Sequence, residues 1–310
     1  MHVRRRLLGD CASDPPLGAT QRALAAARAD DVVYGLGAVA LARGDRTLAL
    51  AVADETARAA LAAAIARVGA VVELVDVPDA WPAIDARDDD EVMPASLLVA
   101  VRDEARGALA SATVSVVGAV AAPAVLQCAL DTTMAELAAR AGGALDDDWV
   151  AIAGGAPAGR LVAREATLAE AGAPSTVLLL PAGHAEVRRL RTTVADWLWR
   201  AASACEGCRA CSDACPASLG AHALVATLAT GREDGTAPAA FVACTGCGVC
   251  DAACPARLSP RALAVDVRER LLRAGAEAAG AATLRPGIDR ALLTLRLGLG
   301  PYDRAPKIAF

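Results

Sequence analysis

Two stretches of twelve residues, CEGCRACSDACP at 205–216 and CTGCGVCDAACP at 244–255, repeat one spacing, Cys-x2-Cys-x2-Cys-x3-Cys-Pro. No other feature of the chain constrains its folding as much. Cysteines at x2 spacing force a tight loop that turns three sulfurs toward one point. The fourth, three residues further on, points elsewhere, and the proline after it turns the chain out of the loop. Neither copy can complete a four-thiolate site alone, so the two must fold against one another. Eight of the chain's ten cysteines are taken up in this way.

The spacing is that of bacterial ferredoxins, in which the fourth Cys serves the other cluster of a pair. It predicts two [4Fe–4S] clusters, one on Cys205, Cys208, Cys211 and Cys254, the other on Cys244, Cys247, Cys250 and Cys215. Paired CxxC units also read as zinc sites, but zinc knuckles take their ligands as two pairs and require neither a third Cys at x2 nor a closing Cys-Pro. A disulfide frame has no use for so tight a repeat. Gly207, Gly246 and Gly248 lie inside the loops, where they either let backbone N–H groups approach sulfur and raise the potential or simply form the turns. Cys128 reads as a small core residue among apolar neighbours, and Cys11 lies in a segment without pattern. His184 and His222 read as surface or core histidines rather than cluster neighbours. Two adjacent clusters form a one-electron wire, which needs a donor and an acceptor.

The 310 residues suffice for two or three modest domains. A net charge of −5 argues against a nucleic-acid partner, since phosphate binding needs a basic face. Its start, MHVRRRLLGD, is basic but is followed by no apolar run, so no secretory signal is read. Residues 107–130 carry no charge, yet Ala, Ser, Thr and Gly dominate them, 113–117 alternates as a strand and Pro123 interrupts them, which argues against a transmembrane segment. The expected compartment is the cytoplasm, where thiols stay reduced, and there so many cysteines point to metal.

No element is clear over residues 1–24. From residue 31 the pattern is α/β: a helix over 31–43, a strand TLALAVA at 47–53, a helix capped by Asp54 and ended by Gly69, and a strand AVVELV at 70–75. Pro78, Pro82 and an acidic run at 85–91 mark a loop before a strand over 96–101. This βαβ-like block implies a parallel sheet. Short strands at 113–117, 150–155, 161–162 and 175–181, with a small helix from Asp131 that Gly142 and Gly143 stop, make a β-rich module. The last third is helical. One amphipathic helix carries Val187, Leu190, Val194, Trp197, Leu198 and Ala201 into the first motif. Ser218 caps a second helix through Thr230, 231–238 is a loop, and Ser259–Pro260 opens a third helix.

In this order of parts the chain resembles the C subunit of the Rnf electron-transport complex and, more closely, the cobalamin-reductase family of propanediol-utilisation compartments. The twin motifs match at every Cys and Pro. VAIAGGAPAG at 150–159, with TLAEAGAPSTVLLLP following it, looks like the glycine turn of that family's soluble-ligand-binding (SLBB) β-grasp module, and RLGLGPYD at 296–303 looks like its tail. The resemblance implies a multidomain protein of α/β and α+β class. Its parts would be an unassigned segment 1–30, a degenerate Rossmann-like domain 31–110, an SLBB-like β-grasp module 111–183, a helical two-cluster ferredoxin domain 184–280 and a tail 281–310. The chain departs from the family at its start. Relatives open with a loop of the form G-x-G-G-x-G-F-P that helps bind NADH and FMN, followed by an acidic Asn-Gly-Ala-Glu-Cys stretch. Residues 1–30 hold only Gly9 and Gly18, so GDCASDPPLGAT is a poor pyrophosphate cradle. Gly35-x-Gly37 lies within a helical stretch. The NADH/FMN site is therefore read as degenerate or lost.

The expected role is an iron–sulfur carrier that relays electrons from a flavoprotein or NADH-linked donor to a redox partner, either a corrinoid enzyme or an Rnf-like acceptor. The alternative is an NADH-dependent flavin reductase subunit, acting on a cobalamin or quinone-type substrate, that keeps a diverged nucleotide site. The β-grasp module would bind a small ligand such as a cobalamin or serve as a spacer. The family also admits residence in a bacterial microcompartment or peripheral association with a membrane complex. A redox sensor lacks support, since no DNA-reading helix with a basic face is present.

Overall fold

The computed structural model describes residues 6–44, 47–84, 86, 90–231, 238–277 and 284–309. Most of the basic start, of the acidic run at 85–91 and of the loop at 231–238 lies outside the described residues. The chain begins with β1 (Arg6–Asp10), α1 (Thr20–Ala27), α2 (Ala29–Arg43), β2 (Thr47–Val52), α3 (Glu55–Val68), β3 (Glu73–Asp76), β4 (Ala80–Trp81), β5 (Asp90–Pro94) and α4 (Ala95–Ala105). Four of these strands form a wholly parallel sheet in the order β3-β2-β1-β5. The N-terminal segment, expected to hold no element, thus supplies an inner strand. Leu7 of β1 packs with Leu24, Leu36, Leu61 and Leu98 on the helix-covered face, and Leu8 packs with Ala49, Ala51 and Ile84 on the other. A strand buried on both faces has no alternation by which to recognise it.

Residues 96–101 are helical, not a strand. The apolar run SLLVAV has no period that separates the two states, but Ala95, Leu98 and Val99 are the buried positions and fall on one helical face. That face lies against α2 so closely that a Cβ at Gly35 would be driven into the Leu98 carbonyl. Gly35 is therefore a packing residue between two helices. The caps of α3 are as read: Asp54 accepts from the Ala57 amide at 2.8 Å, and Gly69 ends the helix at φ +64°.

The second module contains β6 (Ser111–Gly118), β7 (Ala124–Ala129), α5 (Met134–Arg140), β8 (Trp149–Ala153), β9 (Arg160–Val162) and β10 (Thr176–Pro181), with strand order β7-β6-β10-β8-β9. β10 runs parallel to β6 and antiparallel to β8, the β-grasp arrangement, and α5 closes one face through Met134, Leu137 and Ala138. The uncharged stretch 107–130 is largely the β6–β7 hairpin. Among the described residues no helix is long and apolar enough to cross a membrane. α5 starts at Met134 rather than Asp131, because Thr133 and Glu136 form a capping box: the Thr133 hydroxyl accepts from the Glu136 amide at 3.2 Å and Glu136 accepts from the Thr133 amide at 2.8 Å. Cys128 is a core residue, as read, and its sulfur accepts from Arg140 at 3.0 Å.

The third module contains α6 (Ala185–Arg191), α7 (Val194–Ala204), α8 (Ala210–Asp213), α9 (Ala221–Thr230), α10 (Val249–Ala253) and α11 (Pro260–Arg273), and the chain closes with β11 (Ile288–Asp289), α12 (Arg290–Arg296) and β12 (Lys307–Ala309). The single helix expected through 187–201 is broken. Thr192 and Thr193 are extended, and the Thr193 hydroxyl caps α7 by accepting from the Asp196 amide at 3.1 Å. Ser218 does not cap α9, which opens at Ala221 without a side-chain cap, whereas Ser259 and Pro260 open α11 as read. The tail ties the modules together. β11 pairs with β4, β12 adds to the edge of the β-grasp sheet beside β7, and Leu293, Leu297 and Leu299 pack with Leu178, Leu180 and Val187.

Gly35→Ala is expected to destabilise the protein by about 2 kcal/mol through overpacking. Gly37→Ala, two residues along the same helix with nothing within 4 Å of the new Cβ, is expected to stabilise it by up to about 1 kcal/mol. Denaturant unfolding of both variants checks the pair; equal effects would contradict the close α2–α4 contact.

Candidate metal centre

The two motifs share one backbone. Gly207 and Gly246 both stand at φ +68°, Arg209 and Gly248 at +66° and +79°, and Ser218 and Arg257 at +53° and +52°. These three left-handed positions recur at equivalent places, so each loop turns the same way before its short helix, α8 or α10. The change from Arg209 to Gly248 has a steric cause. A Cβ at Gly248 would lie 2.7 Å from Cγ of Pro157, because the 154–159 turn of the β-grasp module presses on the second motif. At position 209 the first motif carries Arg in the left-handed conformation, at about 1–2 kcal/mol of strain.

The eight motif cysteines sort into two cavities. Cys205, Cys208, Cys211 and Cys254 line one, together with Glu206, Arg209 and His222. Cys215, Cys244, Cys247 and Cys250 line the other, together with Thr245 and Arg261. Each motif's fourth cysteine has crossed into its partner's cavity. Burial, and next the neighbouring Cys254, pushes the Cys211 thiol up to about 11. Burial likewise drives the Cys250 thiol well above its ordinary range, with Asp251, Cys247, Cys244 and Cys215 adding to it, and raises Cys244, Cys247 and Cys254. Backbone amides oppose this: Gly246 faces the Cys244 sulfur, Val249 faces Cys247, and Leu258 and Ala256 face Cys254. Four soft donors that resist ionising side by side suit a group that brings positive charge and releases their protons on binding. Among the described residues no three His, Cys, Asp or Glu side chains converge tightly enough for a single ion. A lone zinc draws its sulfurs to about 2.3 Å from one centre, whereas a four-iron cage seats each thiolate on its own iron. Two sets of four thiols supply the ligand count that two such cages require.

The surroundings of the two cavities differ. Cys205 and Cys208 are exposed, while all four thiols of the second set are half-buried. The second cavity is held from three sides. Arg261 donates from Nε to the Gly246 carbonyl at 2.8 Å and from Nη2 to the Ala158 carbonyl, and Trp81 Nε1 donates to the Cys247 carbonyl at 3.0 Å.

Asp251, which the sequence did not single out, anchors the second motif. Its buried carboxylate accepts from Arg189 at 2.7 Å, from the Ser259 hydroxyl at 2.6 Å and from the Arg261 amide at 2.8 Å. Arg189 also donates to Glu186 at 2.9 Å and to the Pro157 carbonyl at 2.7 Å. The available signal was an acidic residue immediately after a ligating Cys, where a negative charge needs a compensating partner. His222, read as a surface or core residue, stands in the wall of the first cavity, with Nδ1 2.7 Å from the Ser212 hydroxyl. His184 caps α6 and lines neither thiol cavity.

Residues 204–258 match the 4Fe-4S dicluster domain family, so the chain is an iron–sulfur protein with a dicluster domain in its helical part. It is similar to two curated cobalamin reductases named PduS. The protein of Citrobacter freundii is 37% identical over 112 residues, covering 36% of this chain and 25% of the relative. That of Salmonella typhimurium is 32% identical over 158 residues, covering 46% and 34%. The matched parts thus span about a third or less of either relative's length.

Asp251→Ala removes one partner of a buried ion pair and is expected to cost about 3 kcal/mol. Asp266→Ala, which breaks the more exposed pair with Arg270, is expected to cost under about 1 kcal/mol. Denaturant midpoints of the two variants check the difference.

Proposed function

We propose that the protein relays single electrons through two [4Fe–4S] clusters, taking them from a flavoprotein or NADH-linked donor and passing them to a redox partner such as a corrinoid enzyme. The observation that carries this role is the sorting of the eight cysteines into two four-thiol cavities with Cys215 and Cys254 exchanged. Each cluster, when bound, takes up and returns one electron. Cys205, Cys208, Cys211 and Cys254 would hold the outer one, and Cys244, Cys247, Cys250 and Cys215 the inner one. The exchanged cysteines bind both sites to the same two loops and so keep them at short separation. Arg261, on the wall of the inner cavity, supplies positive charge where the added electron resides and favours the reduced state. The exposed side of the outer cavity faces a partner. The choice of a corrinoid acceptor rests on the similarity to cobalamin reductases, and the same likeness supports our reading of a cytoplasmic setting, free, in a microcompartment or beside a membrane complex.

The loop between β1 and α1 favours a relay over an NADH-dependent reductase. In a dinucleotide-binding fold, amides at this helix start receive the pyrophosphate. Here a buried carboxylate of the chain accepts from them: Asp14 bonds the Gln21 amide at 3.0 Å and the Arg22 amide at 3.2 Å. Asp10 accepts from the Ala12 and Ser13 amides at 3.0 and 2.8 Å. The Rossmann-like block then serves as scaffold. The SLBB-like module, whose 154–159 turn wedges against the second motif, acts as a structural spacer.

Anaerobically prepared protein is expected to carry about eight irons per chain. Cys215→Ser should remove the inner cluster and Cys254→Ser the outer one, read by iron analysis and EPR of each variant; the reverse pattern would contradict the exchange. NADH added without a partner should leave the visible absorption unchanged, whereas rapid bleaching would favour the reductase.

A further inference from the structure

A groove of about 820 Å³ runs between α6, α7, the segment 251–258 and the end of α12. Four exposed guanidinium groups line it, from Arg188, Arg200, Arg257 and Arg296. Among the described residues none of the four is ion-paired; the two acidic side chains of the groove, Glu186 and Asp251, are both engaged by Arg189. Three of the four contact neutral partners that leave their charge available. Arg200 lies 5.1 Å from the Trp197 ring centroid, Arg296 donates to the Ala252 carbonyl at 3.3 Å and Arg188 donates to the Gly183 carbonyl. The groove is therefore net positive in a chain whose net charge is −5. It also adjoins the exposed thiol cavity, for Cys254, Pro255 and Leu258 line both.

We infer that this groove docks an acidic one-electron carrier protein beside the outer cluster. The inference rests on the relay role and names where the partner binds and by what chemistry. The groove is broad and its cations lie on four separate elements. The buried polar atoms without partners, on Arg22, Arg102 and Thr176, lie elsewhere, so no set of enclosed donors converges as in a small-anion site. Leu295, 70% exposed, adds an apolar contact among the arginines, a combination typical of protein interfaces. Unpaired surface charge of one sign also accelerates the encounter with an oppositely charged partner. In the transfer itself the docked carrier would give up one electron, its flavin passing from anionic hydroquinone to neutral semiquinone, and the cluster held by Cys205, Cys208, Cys211 and Cys254 would take that electron up.

The test uses the full reconstituted chain and an acidic flavodoxin as probe, with the cationic cytochrome c as counter-probe. Titration of oxidised flavodoxin into the oxidised protein should give a Kd that weakens as salt rises. Arg200→Glu with Arg296→Glu should weaken it roughly tenfold or more at low salt, with the gap closing at high salt. The Arg200→Gln and Arg296→Gln pair should fall between, and cytochrome c should bind the charge-reversed protein better than the original. Iron content and the EPR spectrum after dithionite reduction should stay unchanged in all variants. An unchanged flavodoxin Kd in the reversed variant would overturn the docking site, as would saturable binding of inorganic pyrophosphate that the same variant abolishes while flavodoxin affinity persists. Loss of iron from the unmodified chain would instead overturn the relay role. The two failures are distinct, because the Kd is a binding measurement that does not depend on electron transfer.

Discussion

Four thiols crowded into a half-buried space cannot all ionise unless something positive sits among them. Burial first, and the neighbouring negative groups after it, pushes the thiols of Cys211, Cys244, Cys247, Cys250 and Cys254 up, and this resistance to ionising is the constraint on which the helical part of the protein depends. Two loops with left-handed residues at matching positions each turn three sulfurs inward and send a fourth across to the other. An isolated motif would be left with an incomplete donor set and a stray thiol, so the pair is the smallest unit that can hold its cofactor.

The rest of the molecule positions that unit. The β-grasp module pushes Pro157 against Gly248, Arg261 bridges the Gly246 and Ala158 carbonyls, and Trp81 reaches the Cys247 carbonyl from the first module. The tail closes the arrangement by pairing with β4 and with β7. The result is asymmetric, with one thiol set clamped by neighbouring modules and the other half open to solvent beside a basic groove. Such polarity is what a relay needs, since electrons must enter or leave at a surface that a partner can reach.

The grouping of three thiols within each loop was legible in the sequence because Cys spacing in a tight loop is a local property, whereas the exchange of the fourth was read from the likeness of the spacing to that of ferredoxins. Equally legible were the caps of α3 and α11, where Asp54 and Ser259 act within three residues of themselves. Elements decided by distant packing were not legible. β1 is a strand because β2 and β5 flank it, and the short sequence RLLGD carries no period. SLLVAV is helical because Leu98 and Val99 meet α2. The break at Thr192 and Thr193 went unread because the apolar spacing continues across it, and only the Thr193 cap reveals it. Asp251 escaped notice since its partners, Arg189 and Ser259, come from other elements. The Asp14 carboxylate at the start of α1 turned a missing glycine loop from a sequence absence into a physical feature, a helix start already occupied by the chain's own anion.

The most direct measurement of the central claim is EPR of the fully reduced protein. If the fourth cysteines are exchanged, both paramagnetic centres lie within one small domain, and their spins must interact, giving a broadened, split spectrum that simplifies when only one centre is reduced. Two independent, unsplit signals in the fully reduced state, or a single one, would contradict it.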